Sequence, residues 1–88
     1  MKNITKNFVE IDLADMEGKR SDWTVVNMTY EEAVARLKDD PFVNAVRIVE
    51  KTFNPDTFKI TNNVIRMMDK MIHFDFDKKE YITTYKEG

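Results

Sequence analysis

Aliphatic residues alternate with residues of other types over residues 8–13. The aliphatic side chains occupy every second position, and the carboxylates Glu10 and Asp12 lie between them. This period of two predicts a half-buried strand with one aliphatic face and one solvated carboxylate face. Residues 23–28 are rich in aromatic and β-branched types and predict a second strand. The polar segment 14–21 between them predicts a long loop, so the two strands should pair as a hairpin.

A helix is predicted over residues 29–39. Thr29 and Glu32 match a capping box, in which the threonine hydroxyl and the glutamate satisfy free amide groups at a helix N-terminus. Proline disfavours the helical conformation of the residue before it, so Asp40-Pro41 should end the helix. A helix this short needs a sheet to pack against. Its apolar stripe is formed by Tyr30, Ala33, Val34 and Leu37.

The second half of the chain predicts further strands. Residues 42–53 contain a β-branched run, and 54–57 have the asparagine and proline of a strong turn. The strand that returns at 57–60 should bring Phe53 and Phe58 together across the hairpin.

Residues 62–72 fit two structures. Methionines at helical spacing indicate a helix, whereas Val64 and Ile65 favour a strand. We favour a strand to about Met68 with a turn at Asp69-Lys70. Alternation over 72–77 and a segment at 81–85 then predict a C-terminal hairpin, whose turn contains Lys78 and Lys79.

These elements predict a single α+β domain over residues 1–88. It has two layers: a mostly antiparallel sheet of about five to six strands with one short helix packed on one face. The order is β-β-α-β-β, followed by the C-terminal hairpin. This arrangement buries the helix stripe and the aliphatic strand faces together.

Composition narrows the function classes. The 88 residues include one histidine, no cysteine and two glycines, with a net charge of −2. Thiolate metal sites and disulfides are excluded, and a glycine-rich phosphate loop is not expected. We therefore predict no catalytic residues, no metal and no cofactor, and a protein that is not an enzyme. No apolar run is long enough to cross a membrane, and we expect a cytoplasmic location.

The strongest candidate for site chemistry is His73 with Asp75 and Asp77. On one strand all three would share a face, where imidazole and carboxylate groups can bind a metal or exchange a proton. Polar residues on a strand face are usually just solvated, and we favour that interpretation. We interpret the pair Glu10 and Asp12 in the same way.

The favoured function is protein binding. Methionine-rich surfaces adapt to partners, and a domain this small cannot easily bury all of these apolar groups. We expect a small interaction module that binds another protein, with a homodimer as a further possibility. One concrete form is a phage accessory protein with an anti-defence role, an inhibitor that blocks a larger protein such as a bacterial defence nuclease. The predicted partner-binding residues are Met67, Met68, Asp69, Met71, Phe74, Asp75, Phe76, Asp77 and Glu80.

The alternative function is nucleic-acid binding. Trp23, Phe53 and Phe58 are aromatics that can stack on bases from a sheet face. The negative net charge and the mixed signs along the chain make this the weaker hypothesis. The basic residues it would use are Arg47, Lys51, Lys59 and Arg66.

Overall fold

The computed structural model describes residues 2–14 and 20–88 and contains one sheet and one helix. Their bounds are β1 (Ile4–Ala14), β2 (Arg20–Val26), α1 (Tyr30–Asp39), β3 (Val43–Asn54), β4 (Lys59–Asp75) and β5 (Glu80–Glu87). Every pair of neighbouring strands is antiparallel, in the order β2-β1-β3-β4-β5. The helix contacts β3 and β1. The predicted α+β class, with a largely antiparallel sheet and one short helix packed against it, is confirmed.

The predicted first hairpin forms, although the bounds of both strands differ from the predicted 8–13 and 23–28. β1 begins at Ile4, before the alternating stretch, because its first residues pair with the far end of β3, where Ile4 lies opposite Phe53. β2 ends at Val26, opposite Val9. The connection between the two strands falls on residues 15–19, which lie outside the described residues.

The predicted N-cap of α1 at Thr29 is confirmed, although the Glu32 carboxylate accepts from the Thr29 hydroxyl. The Thr29 hydroxyl accepts a hydrogen bond from the Glu32 amide at 3.1 Å and donates one to the Glu32 carboxylate at 3.2 Å. Glu31 and Glu32 place negative charge in the first turn, where the helix dipole favours it. The helix ends at Asp39, and Asp40 is already extended ahead of Pro41.

The core lies between α1 and the middle of the sheet. We call this side of the sheet the helix face and the other side the open face. Val9, Leu13, Ile48 and Met68 pack around the core partly buried. The fully or nearly fully buried members are Ile11, Tyr30, Ala33, Leu37, Val43 and Val46.

Both tight turns of the second half use the same device. Asn54 Oδ1 accepts the amides of Asp56 and Thr57, as the predicted turn requires. Asp75 Oδ1 accepts the amides two and three residues further on in the same way. In each turn the fifth residue, Phe58 or Lys79, has a positive φ near 55–58°. Phe53 and Phe58 pack with ring centroids 6.2 Å apart, although the residue opposite Phe53 in the ladder is Ile60.

The predicted turn at Asp69-Lys70 is wrong, and so is the helical alternative for 62–72. β4 is one strand of 17 residues. Asp69 pairs with Ala45 of β3 on one side and with Lys86 of β5 on the other, so strand partners on both sides keep the backbone extended. The Lys70 ammonium donates to the Asp40 carbonyl at 2.9 Å. A turn signal without glycine or proline does not outweigh these contacts.

The length of β4 makes the molecule elongated, about 60 × 25 × 20 Å. β4 pairs with β3 from Lys59 to Asp69 and with β5 from Met68 to Asp75. The part that pairs only with β5 therefore projects beyond β3 as a two-stranded hairpin. No helix in the described part of the chain has the length and hydropathy needed to cross a bilayer.

Replacing Leu37 with alanine tests the position of the core. Leu37 is a residue of α1 and is fully buried between the helix and the sheet. Leu37→Ala should therefore lower the free energy of unfolding by about 3 kcal/mol. Ile72→Ala is the control, because Ile72 is an aliphatic residue that is mostly exposed on the hairpin. It should lower that free energy by less than about 1 kcal/mol. Urea unfolding followed by circular dichroism measures both, and equal losses would contradict the assignment.

Candidate functional site

The predicted partner-binding residues all lie on β4, on β5 or in the turn between them. They do not form one patch, because neighbouring residues of a strand point to opposite faces of the sheet. Met68 points to the helix face and packs against the core, whereas Met67 lies on the open face opposite Arg47. Asp69 is half-buried, and Met71 is exposed beyond β3. The remaining five residues lie toward the tip of the projecting hairpin.

We call residues 70–85 the hairpin arm. Near its tip, Phe74 packs edge-on against Phe76 at 5.1 Å and against Tyr81, its cross-strand partner, at 5.2 Å between ring centroids. Phe76 is 81% exposed and Tyr81 76% exposed. Edge-to-face packing fixes the orientation of the rings without removing them from water. The arm therefore presents an ordered aromatic cluster to solvent.

Further apolar residues extend from the aromatic cluster toward the helix on the same side of the arm. Ile72 is exposed on this side, two positions from Phe74. Tyr85 lies opposite Lys70, and the Lys38 ammonium of α1 is 5.6 Å from the centre of its ring. Burial lowers the pKa of the Lys70 ammonium at the base of the arm, and the Asp40 charge partly opposes this. An apolar strip thus runs from the end of α1 to the tip of the arm.

The three residues proposed for site chemistry do not share a strand face. His73 and Asp75 lie on β4, but the strand ends at Asp75 and Asp77 is in the turn. Asp75 accepts the Asp77 and Lys78 amides, so its carboxylate is a turn cap. No cluster of three potential metal ligands occurs among residues 2–14 and 20–88. Asp77 and Glu80 are exposed beside the aromatic cluster.

The expected solvation of Glu10 and Asp12 is wrong, since their exposed fractions are 4% and 2%. Glu10 lies in the middle of the sheet between β2 and β3, and this position brings cations to it. Arg47 Nε donates to one of its carboxylate oxygens at 2.9 Å, and Lys51 Nζ lies 3.3 Å from the other. The sequence pattern marks these acids as facing away from the helix but cannot show that basic residues of β3 cover Glu10.

The four bases of the nucleic-acid hypothesis are divided between the two faces. Arg47 and Lys51 lie on the open face and are paired with Glu10. Arg66 lies on the helix face, where its guanidinium carbon is 4.4 Å from the centre of the Tyr30 ring. Its Nε donates a hydrogen bond to the Glu87 carboxylate. That hydrogen bond raises the pKa of Arg66. Lys59 is at the start of β4, far along the strand from Arg66.

Of the aromatics of the same hypothesis, Trp23 is covered by a cation, and so is Phe8, which the hypothesis did not include. Arg47 covers one face of the Trp23 ring at 4.1 Å, and Lys51 lies 5.3 Å from the centre of the Phe8 ring. These cation–π contacts occupy ring faces on which a base would stack. The open face therefore resembles a self-paired surface more than an empty stacking platform.

One exposed region was not predicted from the sequence. At the end of the sheet away from the arm, a shallow apolar groove of about 200 Å³ opens on the open face. It combines residues from three strands, which only the register brings together. No local pattern in the sequence indicates this groove. The residues lining the groove are Ile4, Lys6, Phe8, Lys51, Phe53 and Ile60.

Comparison with known proteins finds no family model, no curated protein and no solved structure that matches this chain. The functional argument therefore depends on the geometry of the chain itself.

Replacing Glu10 tests the ionic cluster of the open face. Glu10→Gln leaves Arg47 and Lys51 without their buried carboxylate and should lower the free energy of unfolding by about 2 kcal/mol. Glu80→Gln, at an exposed acid of β5, should change it by less than about 0.5 kcal/mol. Urea titrations of Glu10→Gln and Glu80→Gln measure these losses. The same titrations of Arg47→Met and of the variant carrying both Glu10→Gln and Arg47→Met measure the coupling between Glu10 and Arg47. Additive effects of the two substitutions would show that the pair contributes nothing.

Proposed function

We propose that the protein is a non-enzymatic interaction module that binds another protein through its hairpin arm. The observation that carries this proposal is the exposed, ordered cluster of Phe74, Phe76 and Tyr81. Large aromatics at the centre of a contact supply much of the binding free energy at protein interfaces. Rings already held in place by neighbours lose little conformational freedom on binding.

The charges around the cluster suit a protein partner. Asp77 and Glu80 stand beside Lys78 and Lys79, so the rim of the cluster is polar and of mixed sign. Such a rim orients a partner and excludes mismatched surfaces more than it adds affinity. An apolar centre within a polar rim is the usual anatomy of a protein interface.

A projecting arm also supports an inhibitory mechanism by occlusion. The arm extends past β3, so it can enter a cleft while the rest of the sheet remains outside. Filling a cleft blocks access by substrate and needs no reactive group on the inhibitor. We therefore retain, as the concrete form of the proposal, an inhibitor that blocks a larger protein such as a bacterial defence nuclease.

Substituting Phe76 tests the proposed surface. Phe76→Asp places a charge at the most exposed ring of the cluster and should weaken binding by about 2 kcal/mol or more, roughly thirtyfold. Phe42→Asp is the matched control, since Phe42 is an exposed phenylalanine that precedes β3. Immobilised wild-type protein and both variants, each checked by circular dichroism, are incubated with lysate, and captured proteins are identified by mass spectrometry.

The expected result is a protein retained by the wild type and by Phe42→Asp and lost with Phe76→Asp. The occlusion mechanism adds that the retained protein loses its own activity when purified wild-type chain is added. A folded variant carrying both Phe76→Asp and Tyr81→Asp that captures the same protein undiminished would refute the arm as the binding surface.

Nucleic-acid binding is the less supported alternative, because Arg47, Lys51 and Arg66 are paired with carboxylates. We expect labelled single- and double-stranded DNA and RNA to give flat titrations at low salt. Tight binding that falls steeply with added salt would favour this alternative instead. Glu10→Gln would then increase the affinity, because it releases Arg47 and Lys51.

A further inference from the structure

A cavity of about 720 Å³ lies where β2 ends and the chain crosses to α1. Its walls belong to β1, to the end of β2, to the segment that leads to the helix and to the first turn of α1. Val9, Val26 and Met28 supply apolar surface. Ligand sites in proteins typically have cavities of about 300–1,000 Å³. The cavity is therefore large enough for the end of a peptide chain.

The polar groups of the cavity favour a cation. Glu32 contributes a carboxylate and Asn7 and Asn27 contribute carboxamides, whereas no basic residue of the described chain lines the cavity. Glu32 accepts the Thr29 hydroxyl at 3.2 Å but forms no ion pair with any described residue. Glu50 lies opposite Asn7 on β3 and likewise has no ion pair there. Negative charge at the cavity is therefore left without a neighbouring cation.

The cavity opens onto an unpaired part of β1. β2 pairs with β1 only as far as Val26, opposite Val9, whereas β1 extends to Ile4 with β3 as its partner. We call the side of residues 4–8 that faces away from β3 the β1 border. No strand in the described part of the chain pairs with it, because the chain turns from β2 toward α1 at Asn27. Alternate residues of such a border direct their amide and carbonyl groups outward, where another strand can pair.

The end of β2 closes one end of the β1 border. A strand pairing there lies in line with β2, so Val26 and Asn27 block its path at the cavity. If it is antiparallel to β1, it runs in the same direction as β2, and its first residue lies in the cavity. A parallel strand would instead place a C-terminal carboxylate beside Glu32, which like charges disfavour. The geometry therefore favours a chain that begins in the cavity.

We propose that the cavity and the β1 border bind the free N-terminus of an extended segment of another protein. The segment pairs with residues 4–8, and its α-ammonium group donates to the Glu32 carboxylate and to the carboxamide oxygens of Asn7 and Asn27. An ammonium group offers three donors and no acceptor, which matches these oxygens. Main-chain hydrogen bonds supply affinity, and capture of the amine supplies the preference for a chain end.

The two faces of the β1 border determine which side chains the segment carries. On the open face, Ile4 and Phe8 line the apolar groove, and Phe8 also lines the cavity. On the helix face the border carries Thr5 and Asn7, both exposed. Neighbouring residues of a strand point to opposite faces, so apolar and uncharged polar residues alternate along the segment. The proposal does not depend on the hairpin arm, which projects from the other end of the sheet.

Two synthetic peptides test the proposal. Both alternate valine with threonine and carry a fluorophore at the C-terminus, but one has a free α-amino group and the other is acetylated there. Binding to the full chain is measured by fluorescence anisotropy at neutral pH, where most of the α-amino group is charged. Amide hydrogen exchange then locates the contact. We expect the free peptide to bind at least about tenfold more tightly than the acetylated one and to slow exchange within residues 4–9.

Two substitutions with matched controls test the residues. Glu32→Gln removes the charge but keeps an oxygen for the Thr29 hydroxyl, so the affinity for the free peptide should drop about fivefold without loss of the fold. Glu31→Gln, an equal charge change at a residue that does not line the cavity, should leave binding unchanged. Asn7→Ala should weaken binding about threefold. Asn63→Ala, on the other side of β3, should not.

Failure of the free peptide to bind, equal binding of both peptides, or protection confined to other strands would overturn the proposal. An acetylated peptide with lysine as its first residue that binds as tightly as the free peptide would also overturn it, because the cavity would then recognise a side chain. If Glu32→Gln fails to fold, Asn7→Ala against Asn63→Ala decides the question. The arm variant Phe76→Asp should bind the free peptide as the wild type does, so the two surfaces are tested separately.

Discussion

One short helix must cover a long sheet, and most of the structure follows from that constraint. The ten residues of α1 span about 15 Å, whereas the seventeen residues of β4 extend about 55 Å. The helix therefore buries the middle of the sheet, where Ile11 and Val46 meet Leu37. Within residues 2–14 and 20–88, no other helix covers the two ends of the sheet. Apolar residues at both ends remain in contact with solvent, among them Phe76 on the arm and Phe58 at the other end.

The uncovered middle of the open face is stabilised in another way. Glu10 is buried there beside Arg47 and Lys51, whose charged groups lie over neighbouring aromatic rings. Long basic side chains can shield apolar surface while their charged ends reach a carboxylate. This ionic cluster therefore covers part of the open face, as a second helix would do.

Local signals in the sequence were sufficient for most of the fold. The N-cap at Thr29, the stripe ending at Leu37 and the turn at Asn54 each depend on residues a few positions apart, and all three are confirmed. The errors concern pairing over long separations. β4 continues through Asp69 because strands on both sides hold it, and Glu10 is buried because a strand more than thirty residues later lies beside it.

The same difference between local signals and long-range pairing applies to the candidate sites. Phe74 and Phe76 were identified because alternation within one hairpin is visible in the sequence. The groove at the other end joins Ile4, Phe53 and Ile60 from three strands, and no local pattern reveals that association. An exposed surface made by neighbours in the chain is therefore predictable from the sequence, whereas one made by register is not.

The stacking of Arg47 on Trp23 has a practical consequence. Trp23 is the only tryptophan of the sequence, and it lies on β2, which among the described strands pairs only with β1. Arg47 reaches it from β3, across the intervening strand. The indole emission of the molecule is thus an intrinsic optical reporter of whether that edge strand is docked. Detachment of the strand should alter the emission even while the rest of the protein keeps its far-ultraviolet spectrum.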